Sequence, residues 1–355
     1  MTPFPRPDYD AIRRYDPERA PVRVDLSDNT NLWGSHPGAL ERIRSASADD
    51  LARYPELYAD ELRSAVADRF DVSMENVTTG AGSDDILDST FRAAWGPEAH
   101  ISYAAPTFSM VEPFARMNGL EARAVSWAAA DRDPSLLLEG GPALVYICRP
   151  NNPTGYLTPR EWVINLLEAR GVNGPLIILD EAYADFSGET MVTDASNIPN
   201  LLVARTMSKA CGLAGMRCGF AVGTPDVALA IEKSRGPYKV AGLAAAAAAA
   251  AVRDEEGWLP EVIAPCLESR TRLSQELTLR DLRPLPSAAN FILCAAPTGA
   301  ARSDAHVLRE AGIGVRPFTG IPELGEGLRV TVGPWSMMED FLDTLDRTFN
   351  LKNVS

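Results

Sequence analysis

Five short stretches carry residue types that can do chemistry together, and each follows an apolar run. Gly80-Ala-Gly-Ser-Asp84 follows residues 77–79, and Ala104-Ala-Pro-Thr-Phe108 follows 100–103. Arg149-Pro-Asn-Asn-Pro-Thr-Gly155 follows 144–148, Asp180-Glu-Ala-Tyr183 follows 176–179, and Arg205-Thr-Met-Ser-Lys209 follows 201–204. Taken singly, each has an ordinary explanation. Ser83, Asp84 or Asp180 can cap a helix, Asn152-Pro-Thr-Gly can be a turn, and Lys209 can be a solvated surface lysine. The 80–84 segment has a second reading as an anion cup, with backbone N–H groups and a helix dipole facing a phosphate. Together the five supply an amine nucleophile, a carboxylate, a phenol, an amide and a phosphate cup.

That inventory is what holding pyridoxal phosphate requires. A lysine amine forms the Schiff base with the aldehyde. A carboxylate facing the ring nitrogen keeps it protonated, so the ring withdraws electrons from the substrate's Cα. Hydrogen bonds from Tyr183 and Asn152 to the phenolate oxygen favour its ionised form. Thr206, Ser208, Arg217 and the 80–84 loop can bracket the phosphate dianion.

The elements around these stretches explain why they should converge. Short apolar runs at 77–79, 100–103, 144–148, 176–179, 201–204 and 220–222 alternate with amphipathic stretches such as 61–70, 84–94 and 159–169. Such alternation predicts an α/β fold with a mostly parallel sheet and helices on both faces. In such a sheet ligands bind at the carboxyl ends of the strands, the edge on which all five loops would lie. The proline-rich first 25 or so residues read as an extended arm. The alanine run at 244–251 reads as a tightly packed helix. After it come a charged helical stretch at 268–279, strand candidates at 289–293, 314–317 and 328–332, and a final helix at 338–349. These predict a smaller α/β C-terminal lobe. The expected division is residues 1–30 as an arm belonging to the small lobe, 31–240 as the large cofactor-binding domain, and 241–355 as the small domain.

Composition narrows the partners. The 355 residues carry a formal net charge of −14, with 46% hydrophobic and 23% charged residues and only three histidines. This is ordinary globular composition. Its acidity argues against nucleic acid, which needs clustered Lys and Arg. His36, His100 and His306 are far apart in the sequence, so no histidine metal site is expected. Five cysteines without a CxxC pair read as free thiols in a reducing compartment. No signal pattern opens the chain, and no apolar run is long enough to span a bilayer, so the expectation is a cytoplasmic protein without a membrane partner.

The motifs also resemble a known family. Thr206-Met-Ser-Lys-Ala-Cys-Gly-Leu-Ala-Gly-Met-Arg217 is similar to the lysine segment of fold-type I, class I/II aminotransferases, particularly the histidinol-phosphate aminotransferase branch. Asn151-Asn-Pro-Thr-Gly155, Asp180-Glu-Ala-Tyr183, Arg53-Tyr-Pro55 and Leu328-Arg-Val-Thr-Val-Gly333 agree with it in order and spacing. The resemblance runs from about Tyr15 to the last helix. It implies the PLP-dependent transferase fold type I, with a seven-stranded sheet, and Lys209 as Schiff-base lysine and proton shuttle. Asp180 would face the pyridinium nitrogen, Tyr183 and Asn152 the phenolate oxygen, and Phe108 would stack on the ring. Ser83, Asp84, Thr206, Ser208 and Arg217 would bind phosphate. Tyr54 would reach that phosphate from the partner subunit of a homodimer. Arg329 would clamp the substrate carboxylate, with Arg316, Asn29 and Tyr15 on the substrate side.

One segment departs from the family pattern Leu-Asn-x-Asn-Glu-Asn-Pro-Tyr-Gly. Here Leu26-Ser-Asp-Asn-Thr-Asn-Leu-Trp-Gly34 has Thr30, Leu32 and Trp33 in place of Glu, Pro and Tyr. Either the pocket has changed in polarity and shape, or the segment has drifted while packing as before. The resemblance implies an amino-acid biosynthetic aminotransferase that passes an amino group from a donor, first histidinol phosphate, to a 2-oxo acid such as 2-oxoglutarate. Aromatic amino-acid transamination, decarboxylation of a phosphorylated amino acid (as by threonine-phosphate decarboxylases) and ligand sensing on a retired fold are the alternatives. The Asn152–Pro153 peptide is expected to be cis.

Overall fold

The computed structural model describes residues 21–94, 96 and 98–351, together with 4–6, 9, 10, 12, 14 and 16. Seven strands form the main sheet: β1 (Val77–Gly80), β2 (His100–Ala105), β3 (Glu121–Ser126), β4 (Leu144–Cys148), β5 (Leu176–Asp180), β6 (Leu201–Thr206) and β7 (Gly219–Gly223). Their order is β1-β7-β6-β5-β4-β2-β3. The β3–β2, β2–β4, β4–β5 and β5–β6 pairs are parallel, while β7 runs antiparallel to both β6 and β1. Two reversals return β1 to the common direction. The loop after β1 therefore opens on the same edge as the loops after β2, β4, β5 and β6.

Both faces of this sheet are covered, which explains why the central strands read as unbroken apolar runs. Val145, Ile147, Ile177, Leu179 and Val203 point into one core, with helices Asp60–Phe70, Arg160–Arg170 and Gly242–Arg253. Tyr146, Cys148, Ile178, Leu202 and Ala204 point into the other, under helices Ser83–Ala93 and Val111–Met117. The edge strand β3, of sequence EARAVS, stays largely exposed and has no apolar run to betray it.

The alanine run forms helix Gly242–Arg253, packed with helices Pro37–Arg44 and Asp60–Phe70 in the core of the large sheet. Helix Trp258–Leu279 then carries the chain to a second core, where Cys266, Leu273 and Leu277 are buried. That core lies against a three-stranded antiparallel sheet of β8 (Phe291–Ala295), β9 (Arg316–Ile321) and β10 (Gly325–Thr331), in the order β9-β10-β8. Helices Ala301–Glu310 and Trp335–Phe349 complete it. The N-terminal segment joins this second unit: Val24–Asp25 pairs with Ile313–Gly314, and Leu26 is fully buried in its core. No helix among the described residues is long and apolar enough to cross a membrane.

Candidate active site

The carboxyl edge of the large sheet and the face of β9 and β10 enclose a cavity of about 830 Å³. Ser83, Asp84, Phe108, Asn152, Asp180, Tyr183, Thr206, Ser208, Lys209 and Arg217 all line it, as do Asn29, Arg316 and Arg329. Thus thirteen of the expected site residues meet in one place. Tyr54 does not join them in its own chain: it is 83% exposed and stacks on Tyr238 at 4.9 Å. Tyr15 lies outside the described residues.

Helix Ser83–Ala93 starts without a side-chain cap, which leaves an open, donor-lined cup at its N-terminus. Its N-cap position is Gly82, so neither Ser83 nor Asp84 serves there and the first N–H groups remain available to an anion. Gly82 has φ of +86°, and a Cβ there would stand 2.8 Å from Arg217 Nη2. The positive φ favours glycine, and a Cβ there would push the guanidinium from its place over the cup. Arg217 Nη1 donates to Ser208 Oγ at 3.5 Å, and Nη2 donates to Asp84 at 3.3 Å. Thr206 Oγ1 donates to Ser208 Oγ at 3.0 Å and accepts from the Ser208 N–H at 3.2 Å. Hydroxyls, amides and a guanidinium thus converge, a donor set suited to a phosphate dianion.

Deeper in the cavity, Asp180 ends β5. Burial pushes its carboxyl up to about 6, against the pull of hydrogen bonds from Tyr146 and the Ala182 backbone. Next to it, Glu181 turns away from the cavity and is fully buried. It accepts from Thr190 Oγ1 at 2.5 Å and from the Met191 N–H at 2.8 Å, with Arg205 at 3.7 Å and Arg149 at 3.9 Å. These bonds anchor the turn that places Asp180 and Tyr183. Glu181 lies within the Asp180–Tyr183 motif, but its role becomes visible only with the distant Arg149 and Arg205 beside it.

Lys209 extends from the loop after β6 and donates through Nζ to the Asp28 carbonyl at 2.8 Å. Burial, reinforced by the positive charge of Arg329, brings its amine down to about 8. A substantial neutral fraction near physiological pH is what an amine nucleophile needs. Tyr183 stands beside it, with the Lys209 ammonium 5.7 Å from its ring centre. The Tyr183 hydroxyl accepts from Asn29 Nδ2 at 3.0 Å, and burial raises its pKa.

The second unit supplies the arginines. Arg316 on β9 is the register partner of Arg329 on β10. Arg329 Nη1 donates to Asn152 Oδ1 at 2.5 Å and Nη2 donates to the Ser27 carbonyl at 2.7 Å. Its guanidinium lies 5.3 Å from the Phe291 ring centre and 5.4 Å from that of Phe318. Asn29 takes the left-handed conformation at φ of 54°; its N–H donates to Thr331 Oγ1 at 2.9 Å and its carbonyl accepts from Asn290 at 3.1 Å. The Asn152–Pro153 peptide is cis. Thr107, from the 104–108 stretch, also lines the cavity, as do Asp28 and Phe318, which no local sequence signal marks as site residues.

The departing segment divides in two. Thr30 lines the cavity, whereas Leu32 and Trp33 pack against the core of the small sheet. Leu32 fills the space over Gly333, where a Cβ would stand 2.7 Å from its side chain. Only one of the three replacements therefore changes the wall of the pocket. Among the described residues, no group of three His, Cys, Asp or Glu side chains could hold a metal ion.

A parallel sheet edge with a lysine, a buried carboxylate and an uncapped helix N-terminus in one cavity defines a fold-type I aminotransferase. Residues 22–345 match the family Aminotransferase class I and II, and the chain belongs to it. Among similar proteins, a histidinol-phosphate aminotransferase of Pseudomonas putida (strain KT2440) is 35% identical over 328 residues, 91% of this chain and 92% of its own length. One from Gluconacetobacter diazotrophicus is 35% identical over 313 residues, 87% of each chain. The crystal structure of histidinol-phosphate aminotransferase from Sinorhizobium meliloti, in complex with pyridoxal-5'-phosphate, superposes with a TM-score of 0.83 at 27% identity, covering 99% of both chains.

Proposed function

We propose that this aminotransferase uses pyridoxal phosphate to move an amino group from histidinol phosphate to a 2-oxo acid such as 2-oxoglutarate. The observation that carries the donor is a second anion-binding position: Arg316 and Arg329 line the cavity beside Phe318, in addition to the cup formed by Arg217 and the Ser83 helix. A donor with a phosphate or carboxylate at one end and a flat ring fits that pairing. The similarity to histidinol-phosphate aminotransferases over about nine-tenths of the chain supports the same donor.

When bound, pyridoxal phosphate supplies a protonated ring that draws electrons from the donor's Cα. The chain's own residues do the rest. Gly82, Ser83 and Asp84 (through backbone N–H groups), Thr206, Ser208 and Arg217 would hold the phosphate, and Phe108 would cover the ring. Asp180 would face the ring nitrogen as a carboxylate, and Tyr183 and Asn152 would donate to the phenolate oxygen. Lys209 Nζ would take up, hold and give back the proton of the donor's Cα, the role of a general base and acid with a pKa near working pH. Arg329 would clamp the acceptor's carboxylate bidentately, and Arg316 and Asn29 would line the substrate side.

The same proposal includes a cytoplasmic homodimer in which Tyr54 reaches the partner's phosphate. Its support is the exposed Tyr54–Tyr238 stack, with Tyr54 lining a hollow of about 300 Å³ together with Arg42, Arg53 and Leu243, a hollow that shares no lining residue with the chain's own cavity. The large lobe would extend through Arg253, given where the alanine helix packs. The donor is tested by comparing kcat/KM for histidinol phosphate, unphosphorylated histidinol, phenylalanine and tyrosine, each with 2-oxoglutarate. Histidinol phosphate is expected to lead; a preference for an aromatic amino acid, or carbon dioxide release without a 2-oxo acid, would replace it.

A further inference from the structure

Tyr146 is the one polar side chain near the middle of an otherwise apolar strand, Leu-Val-Tyr-Ile-Cys, and it is fully buried. A phenylalanine would satisfy the packing, because the ring lies in a core with Ile178, Leu202 and Phe91. The hydroxyl therefore needs its own reason, since a buried phenol O–H must find a partner. That partner is Asp180: Tyr146 Oη donates to Asp180 Oδ2 at 2.7 Å. Sheet register makes the meeting possible. Cys148 is the register partner of Asp180, and Tyr146, two residues earlier on the same face, reaches along the strand to it. Oδ1 of the same carboxylate accepts the Ala182 N–H at 3.1 Å. The thiol of Cys148, which lies nearby, is directed to the Pro150 carbonyl at 3.2 Å.

Each carboxylate oxygen thus has one donor, and together they fix the plane of the group at the cavity floor. We propose that Tyr146 is a positioning residue whose hydroxyl orients the Asp180 carboxylate and keeps the proton of the Asp180–ring-nitrogen bond on the nitrogen. The inference rests on pyridoxal phosphate being the cofactor. A donor to a carboxylate lowers its proton affinity; without it, the shared proton moves toward oxygen and the ring becomes a weaker electron sink.

The test uses full-length protein reconstituted with pyridoxal phosphate labelled with nitrogen-15 in the ring. In the unaltered protein the nitrogen resonance is expected at the protonated position. In Tyr146→Phe it is expected to move toward the neutral-pyridine position, with cofactor affinity weakened about ten-fold, the size of one hydrogen bond to a charged group. In an Asp180→Asn background, Tyr146→Phe is expected to change affinity by less than about two-fold, because the two residues act as a unit. Should Tyr146→Phe not fold, 4-aminophenylalanine at position 146, a weaker donor of nearly the same shape, is expected to move the resonance part of the way toward the neutral-pyridine position. An unchanged resonance in these variants, or an equal loss of affinity in both backgrounds, overturns the inference while leaving the cofactor assignment intact. Failure of the unaltered protein to bind pyridoxal phosphate overturns both.

Discussion

Replacing Asp180 by asparagine is expected to stabilise the cofactor-free protein at neutral pH while removing its hold on the ring. Burial raises the carboxyl from 3.8 to about 6, so the folded state binds a proton more readily than the unfolded state. The sign follows from linkage: stability is lost as pH rises from about 4 to about 6, and the loss is complete above that. At pH 7.5 the ionised, desolvated carboxylate costs ~3 kcal/mol, and at pH 5 roughly half as much. Asparagine avoids this cost but offers one oxygen where Tyr146 and the Ala182 N–H each donate to one, losing a bond of ~1 kcal/mol. The net expectation is a gain of ~2 kcal/mol at pH 7.5 and little gain at pH 5. Urea unfolding of both cofactor-free proteins at the two pH values measures it. A variant less stable at pH 7.5, or a difference independent of pH, would refute the view that Asp180 is held ionised against burial.

Three further outcomes follow from the site. Covalent attachment of pyridoxal phosphate to Lys209 is expected to accelerate as pH rises through about 8, as the amine loses its proton; a flat rate from pH 6.5 to 9 contradicts the lowered pKa. Gly82→Ala adds a Cβ 2.8 Å from the Arg217 guanidinium at a left-handed φ, so phosphate-dependent cofactor affinity is expected to fall by about ten-fold or more. Titration of the variant with pyridoxal phosphate checks this, and wild-type affinity would contradict it. Tyr54→Phe is expected to remain dimeric in sedimentation yet bind cofactor about ten-fold more weakly. A monomeric wild-type protein that holds the cofactor would remove Tyr54 from the site.

The central strands were legible because burial on both faces keeps them predominantly apolar, so each reads as an apolar run ending where the chemistry begins. Strand Glu121–Ser126 escaped because it is an edge strand with exposed charges, its place fixed by backbone pairing with His100–Ala105. Lys209, Asp180 and Asn152 could be found because local motifs surround them. Tyr146 could not, since its meaning lies in a bond to a residue 34 positions away. The same is true of Glu181, whose arginine partners stand on other strands and loops. The alanine run betrayed its helix but not its neighbours. Small side chains allow close approach on any side, and only tertiary packing places them against Pro37–Arg44 and Asp60–Phe70. Of Thr30, Leu32 and Trp33, the sequence alone did not tell which faced the substrate; packing over Gly333 removes Leu32 from that role.

The most direct measurement is a half-reaction in the absence of any 2-oxo acid. Stoichiometric histidinol phosphate is expected to convert the bound cofactor from its aldehyde-derived to its amine-derived absorbance in one turnover, and 2-oxoglutarate to restore it. Lys209→Ala is expected to do neither. A cofactor spectrum unmoved by histidinol phosphate, aromatic amino acids and glutamate alike, or a Lys209→Ala protein that still completes the cycle, would contradict an aminotransferase working through this lysine.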